Sequence, residues 1–206
     1  MNIRANFESE VEKFRLWAVA YKDKYGEWEE DYENWPKLVS ATEALINSGF
    51  YNNPDQSLTE GILYAIARDN ECGRISDTLE GNFDLLEYLT IHGVKSNEWH
   101  AKWQLAVLVG KSALKNAAEL IRPYLTDNEE YVRRISLMAI AKHSPEEAET
   151  IALERISDEY EYTRIASITV LFEVGSTELN YHLNILKNDP SEHVRFNVNK
   201  ILSAAS

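Results

Sequence analysis

The C-terminal half of the sequence repeats itself every 31 residues. The clearest marker is a basic residue, which recurs at Lys102, Arg133, Arg164 and Arg195. Six residues before these cations stand Ser96, Asp127, Asp158 and Asp189. A fixed period of this length is typical of stacked helical units, in which each unit buries its apolar face only against its neighbours. The period therefore predicts an array of helices, and such arrays commonly serve as binding surfaces.

Small and apolar residues recur inside each repeat at offsets of 0, 4, 7 and 8. The first two sets are Ala101, Leu105, Leu108, Val109 and Val132, Ser136, Ala139, Ile140. The next two are Thr163, Ser167, Val170, Leu171 and Val194, Val198, Ile201, Leu202. These offsets place all four side chains of a set on one stripe of a helix. We therefore predict that the first helix of each repeat buries one face.

The start of each repeat resembles a known pattern. Residues 127–133 read Asp-Asn-Glu-Glu-Tyr-Val-Arg and residues 189–195 read Asp-Pro-Ser-Glu-His-Val-Arg, while Thr163 replaces the valine in the repeat between them. This pattern resembles that of HEAT-like repeats, especially the short bacterial, bilin-lyase-type variety. The resemblance implies an all-α fold, namely a right-handed, armadillo-like α-solenoid. The four cations could form a row that binds anions, but the preceding aspartates, Asp127, Asp158 and Asp189, are placed to cap their own helices and to pair with a cation of an adjacent unit, and the resemblance implies the same structural role.

The period divides the chain at about residue 95. Residues 96–206 form three repeats and a terminal helix, whereas residues 1–95 keep a helical pattern but lose the period. Asp127 with Glu130 has the spacing of a capping box at the start of a first helix. We interpret residues 1–95 as a helical cap on the array, continuous with it in one domain.

The charge of the chain favours a basic partner. The formal net charge is −13, and residues 1–95 contain 18 acidic side chains against 9 basic ones. Such a surface repels phosphate backbones, so we expect neither nucleic acid nor an anionic membrane as a partner. It attracts a cationic protein and speeds the encounter with it. The alternative is that the acidity serves solubility alone.

An acidic and aromatic segment at residues 27–35 is the most suggestive candidate for the interface. Aromatic anchors surrounded by charge are typical of binding hot spots. The candidate residues here are Trp28, Glu29, Glu30, Asp31, Tyr32 and Trp35. The alternative is a buried stripe, because the three aromatic residues are spaced by four and three positions. Both interpretations can hold in part.

The second helices of the repeats provide further candidates. In HEAT-like arrays these helices line the concave side, where a partner would contact them. The positions that the pattern leaves unburied include Glu119, Glu146, Glu149, Leu153 and Tyr181. The alternative is a solvated face with no dedicated use.

The sequence offers little for catalysis. It lacks a glycine-rich phosphate loop, a nucleophile elbow and a His-Glu-x-x-His pair, and its single cysteine, Cys72, has no partner for a disulfide. The segment 68–71 is interpreted as a solvated helix end, with a carboxylate pair as the alternative. We therefore expect no catalytic residue, metal or cofactor. Three glutamates within the first twelve residues do not fit a secretory signal, so we expect a cytoplasmic protein.

These features together predict a protein–protein interaction module that binds a basic protein through an acidic surface. One concrete form is an immunity or antitoxin-type inhibitor of a cationic toxin such as a nuclease, because an acidic surface can occupy a site that binds nucleic acid. The alternatives are a scaffold or adaptor subunit and an enzyme of the bilin lyase or DNA glycosylase type. The glycosylase requires a basic groove, which a net charge of −13 makes difficult to assemble.

Overall fold

The computed structural model describes residues 2–26, 28–49 and 54–204. All regular elements in these ranges are helices, and no strand occurs among them. The prediction of an all-α protein is confirmed. Within the same ranges, none of the helices has the combination of length and apolar character that crossing a membrane requires.

The described residues contain twelve α-helices and two short 3-10 segments. The first six helices are α1 (Ile3–Ala20), α2 (Trp35–Asn47), α3 (Gln56–Arg68), α4 (Arg74–Thr78), α5 (Phe83–Gly93) and α6 (Trp99–Lys111). The other six are α7 (Ala117–Ile121), α8 (Glu130–Ile140), α9 (Pro145–Arg155), α10 (Glu161–Glu173), α11 (Leu179–Leu186) and α12 (Glu192–Ala204). The 3-10 segments are Trp28–Asp31 and Arg122–Thr126.

The chain separates into two compact units, unit 1 (Met1–Leu108) and unit 2 (Val109–Ser206). In unit 1, α1 packs against α2 and α3, and α3 packs against α5. The side chain of Asn2 caps α1 by accepting a hydrogen bond from the backbone of Arg4 at 3.0 Å. The buried face of α1 carries Phe7, Val11, Phe14 and Ala18, which follow the helical period. This face is the core against which the candidate segment 28–35 packs.

In unit 2 the repeats recur as pairs of helices. The first helices follow one another, since α8 packs on α10 and α10 packs on α12. The second helices α9 and α11 each contact the first helices on both sides. The stripe predicted from the period is buried in α8 and α10 and, except for the half-buried Leu202, in α12. The predicted stripe is thus confirmed.

Each arginine of the period binds the loop that precedes its own helix. Nη1 of Arg133 donates to the carbonyls of Asp127 and Asn128, both at 2.8 Å. Nη1 of Arg164 donates to those of Asp158 and Glu159 at 2.7 and 3.1 Å, and Nη1 of Arg195 to those of Asp189 and Pro190 at 2.6 and 2.9 Å. These three arginines therefore stabilise the fold, because their guanidinium groups bind backbone carbonyls.

The aspartates of the period differ from the prediction in one respect. We expected Asp127 to cap its helix, but α8 begins at Glu130 and Asp127 lies further upstream. The Oδ1 atoms of Asp127, Asp158 and Asp189 instead accept a backbone N–H two residues later, at 3.0, 2.9 and 2.8 Å. This bond closes an Asx turn, a conformation that competes with direct capping. The hydroxyl of Ser96 makes the same bond to Glu98 at 3.1 Å.

The expected ion pair between adjacent repeats forms between Arg164 and Asp189. The guanidinium of Arg164 makes two bonds to the carboxylate of Asp189, at 2.8 and 2.7 Å, and both side chains are buried. Burial, the largest single influence, would raise the pKa of Asp189, but the bonds from Arg164 and the backbone of Ser191, with the nearby charges of Arg164 and Arg195, together lower it. Among the described residues no such pair joins Arg133 to Asp158, where Arg155 lies close to both charges.

Within unit 2, the last turn of α6 approaches α8 closely at Gly110. A Cβ atom built on Gly110 would lie 2.8 Å from Cβ of Ala139 and 3.0 Å from its Cα. Glycine therefore stands here because no larger residue fits between these two backbones.

Candidate functional site

The aromatic residues of the segment 28–35 belong to one cluster built around Phe14. The Phe14 ring is fully buried, and the rings of Tyr32 and Trp35 both lie 5.3 Å from it. Trp28 lies 5.8 Å from Phe14 and stacks on Trp17 at 5.8 Å with an interplanar angle of 9°. The 3-10 segment Trp28–Asp31 places these rings on the buried face of α1. Tyr32 and Trp35 are thus buried, whereas Trp28 keeps part of its surface exposed.

The acidic residues of the same segment occupy different environments. Glu30 and Asp31 are exposed, Glu29 is only 4% exposed, and Glu27 lies outside the described residues. The hydroxyl of Tyr21 donates to Asp31, and this bond, with burial adding to it, raises the pKa of Tyr21 to about 12. Burial is also the main reason why the pKa of Glu29 is raised. Glu30 and Asp31 are therefore the acidic residues that a partner can reach directly.

A cleft beside Glu29 gathers acidic side chains that are distant in the sequence. Glu29, Glu30, Asp69 and Glu71 line it, together with Trp35, Arg68 and Cys72. We call these four carboxylates the carboxylate cleft. Asp69 and Glu71 each contribute to the raised pKa of Glu29. The side chain of Cys72 donates to Glu30, with Sγ 3.8 Å from Oε1.

Asp69 corrects the interpretation of residues 68–71 as a solvated helix end. Its side chain is 2% exposed and accepts the backbone N–H of Ile75 at 2.6 Å, which ties the end of α3 to the start of α4. Burial raises the pKa of Asp69, and Glu43 adds to this effect. Among the described residues no group of three or more His, Cys, Asp and Glu side chains is arranged to hold a metal ion. The cleft is a recess rich in carboxylates, in which the charge of Arg68 offsets part of the repulsion on Glu29.

A second recess in unit 1 has the opposite charge. It has a volume of about 520 Å³ and is lined by Arg15, Ala18, Val19, Lys24, Trp28, Tyr64, Arg68 and Glu98. We call it the cationic recess. The Cζ atoms of Arg15 and Arg68 lie 4.7 and 4.6 Å from the centroid of the Tyr64 ring, and Nζ of Lys24 lies 5.2 Å from that of Trp28. Arg68 also pairs with Glu98 at 2.9 Å.

Sequence reasoning did not identify the cationic recess. Arg15 lies on α1, Lys24 in the loop after it and Arg68 at the end of α3, so no local motif connects them. The surplus of acidic residues also argued against any basic site. Only the packing of α3 on α1 brings these side chains together.

The candidate residues of unit 2 lie on its second helices. Glu119 on α7 and Glu146 on α9 are exposed, while Glu149 and Leu153 on α9 are half-buried. Tyr181 on α11 is 62% exposed, and Ile185, one turn later, is 53% exposed. The two side chains form a small apolar patch at a spacing that places them on one face.

The first helices of unit 2 carry an aromatic column that sequence reasoning missed. Tyr131, Tyr162 and His193 stand two residues before each arginine of the period, so the spacing could have revealed them. The rings of Tyr162 and His193 stack at 6.1 Å. The guanidinium of Arg134 lies 4.6 Å from the Tyr131 ring and 5.3 Å from the Tyr162 ring.

No protein-family model and no curated protein matches this sequence.

Proposed function

We propose that this protein is an interaction module that binds a basic partner protein through an acidic surface. The observation that carries the proposal is the carboxylate cleft of unit 1. Four carboxylates line it, and Arg68, which lines it as well, is already paired with Glu98. A cationic side chain from a partner would relieve this repulsion, so the cleft has more to gain from a lysine or arginine than an isolated surface acid has.

The position of the cleft supports this proposal. Glu30 and Glu71 are exposed at its edge, where they can attract a partner over a distance, while Glu29 and Asp69 are buried. Exposed charges mainly set the rate of association, whereas desolvated pairs mainly set the rate of dissociation. The exposed edge and the buried floor therefore fit the two stages of binding.

We further propose that the repeats of unit 2 are HEAT-like and form a right-handed α-solenoid. In support, α8, α10 and α12 pack in succession, and each carries the same arginine-to-carbonyl bonds. In this arrangement Glu119, Glu146, Glu149, Leu153 and Tyr181 would belong to a second contact surface. A narrower form of the proposal is inhibition of a cationic toxin such as a nuclease, in which the carboxylates take the place of phosphates.

The test begins with capture of the partner from the native cell, followed by association kinetics with the purified partner. Glu30→Lys and Glu71→Lys should slow association about tenfold together, and added salt should slow it further. Glu33→Lys is the matched control, because it makes the same charge change at an exposed residue that does not line the cleft. A captured partner whose association responds to neither salt nor these changes would contradict the proposal.

A further inference from the structure

We propose that the cationic recess of unit 1 is a binding site for a small organic phosphate. This inference goes beyond the proposed function, because its ligand is small and anionic, whereas the carboxylate cleft would take a basic protein. The recess lies entirely within unit 1. Its residues come from α1, the loop after α1, the 3-10 segment Trp28–Asp31, α3 and the loop that precedes α6.

The first argument is the local excess of positive charge. Arg15, Lys24 and Arg68 line the recess against the single carboxylate of Glu98, although the whole chain has a net charge of −13. Glu98 pairs with Arg68, and among the described residues no carboxylate lies within ion-pair distance of Arg15 or Lys24. Half-burying the guanidinium of Arg15 without a counter-ion is unfavourable. A bound anion would provide the missing partner.

The second argument is that the cations are held in place before any ligand arrives. The guanidinium groups of Arg15 and Arg68 lie over the same ring, that of Tyr64, and the second is also fixed by its ion pair with Glu98. Cation–π contacts and ion pairs of this kind restrict the rotamers of long side chains. The entropy lost on binding an anion is then smaller than it is for free surface arginines.

The third argument decides which anion fits. The lining has two more positive than negative side chains. A phosphate monoester carries close to two negative charges at neutral pH and offers three oxygens. It can therefore satisfy the fork of Arg15 and the ammonium of Lys24 together, whereas one carboxylate would leave a cation unpaired.

The fourth argument concerns the rest of the ligand. Val19 is 87% exposed and, with the partly exposed Trp28, forms an apolar wall of the recess. A volume of about 520 Å³ lies within the range of small-molecule sites. A second recess of about 700 Å³ shares Arg15 and Glu98 with it, but its lining has as many carboxylates, Glu60 and Glu98, as cations, Arg15 and Lys95. The phosphate group therefore belongs in the cationic recess, with the organic part against the apolar wall.

The test is a titration of the full chain with AMP, inorganic phosphate and adenosine, followed by calorimetry and by the indole N–H signal of Trp28 in NMR spectra. We expect AMP to bind more tightly than inorganic phosphate, and adenosine to bind far more weakly than AMP. Lys24→Gln should weaken AMP binding about tenfold, which is the usual effect of removing one charged hydrogen-bond donor. Arg15→Gln should have an effect of similar size.

Lys22→Gln is the matched control. Lys22 is exposed in the same loop as Lys24 but does not line the recess, so this variant removes the same charge and should bind AMP as the wild type does. Lys24 lies outside the helices, so the result with Lys24→Gln does not depend on the folding of the Arg15 variant.

Three results would overturn the proposal. One is the absence of AMP binding at millimolar concentration. Another is equal weakening of AMP binding by Lys22→Gln and Lys24→Gln, which would indicate a nonspecific effect of net charge. The third is a glutamate-rich peptide that binds through Arg15 and Lys24 when AMP does not, because the recess would then be a site for acidic peptides.

Discussion

Unit 2 uses one set of interactions three times, whereas unit 1 uses each of its interactions once. In unit 2, Arg133, Arg164 and Arg195 each bond two carbonyls of the preceding loop, and an aspartate closes each turn. In unit 1, a single aromatic cluster around Phe14 joins α1, the 3-10 segment, α2 and α3. Repetition spreads stability over similar contacts, while a unique cluster concentrates it in a few side chains.

The two units also differ in whether their charged side chains are available to form a binding site. The charged side chains of the period in unit 2 are directed at their own backbone and at each other, so they are committed to the fold. In unit 1 the charged side chains beside the aromatic cluster are only partly compensated, with carboxylates prevailing in one recess and cations in the other. Irregular packing has thus produced two recesses of opposite charge in the unit that lacks a repeat.

The largest effect should come from Phe14→Ala, which removes the centre of the aromatic cluster. A fully buried phenylalanine of this kind contributes about 4 kcal/mol to the free energy of unfolding. All five tryptophans lie in unit 1, so tryptophan fluorescence during urea unfolding reports on that unit. Phe196→Ala is the control in unit 2 and is followed by circular dichroism, because that unit has no tryptophan; the ring is 69% exposed and its loss should change stability by less than about 0.5 kcal/mol. Similar losses in the two variants would contradict the idea of a concentrated core.

The next effect distinguishes the arginines of the period. Arg164→Ala should destabilise unit 2 by about 3 kcal/mol, because it leaves the buried carboxylate of Asp189 without its partner. Arg133→Ala should cost about half as much, since it loses carbonyl bonds but no buried ion pair. Urea unfolding followed by circular dichroism measures both losses. Equal losses would show that the carbonyl bonds alone account for the role of these arginines.

A smaller effect is expected from Gly110→Ala. Alanine favours a helix over glycine by about 1 kcal/mol, but here its methyl group would lie within the contact distance of Ala139. We expect the clash to prevail and the net loss to be about 1 kcal/mol. Adding Ala139→Gly should restore part of the stability, measured as a double-mutant cycle, because it removes the opposing methyl group. A stabilised single variant would mean that the two backbones can move apart.

The smallest effect is a gain in stability for Glu29→Gln. The raised pKa of Glu29 means that the folded protein holds the proton of this carboxyl group more tightly than the unfolded chain does. Protonated Glu29 therefore stabilises the fold at low pH, and this stabilisation is lost as the pH rises through the pKa of Glu29 in the folded protein. At neutral pH the variant should be slightly more stable than the wild type, because it carries no buried charge at this position. The difference should disappear as pH falls below about 4.3, the ordinary pKa of glutamate. Glu33→Gln, at an exposed residue, is the control and should show no such dependence.

Prediction from the sequence succeeded where the same type of residue recurs at the same position of each repeat. The stripe in α8 and α10 could be identified because the spacing of small and apolar residues is the direct cause of their burial. The pairing of Arg164 with Asp189 could be predicted in the same way, because both residues stand at fixed positions of the period. The Asx turns were mistaken for caps, because the two devices use the same residue type within a few positions of each other.

The segment 28–35 shows where such reasoning reaches its limit. Its composition suits both an interface and a core, and the structure divides it between them: Tyr32 and Trp35 are buried, whereas Glu30 and Asp31 are exposed. The sequence could not identify Asp69 or Glu71 as neighbours of Glu29, because forty residues of intervening chain separate them.

The sequence by itself determined the helical class, the period and the residues that each repeated helix buries, because these depend on spacings within one turn or one repeat. The tertiary structure alone decided which charges face one another. The carboxylate cleft and the cationic recess arise from contacts between α1, the 3-10 segment and the ends of α3, whose side chains are far apart along the chain. Helix formation is local, whereas an electrostatic site depends on distances that only packing sets.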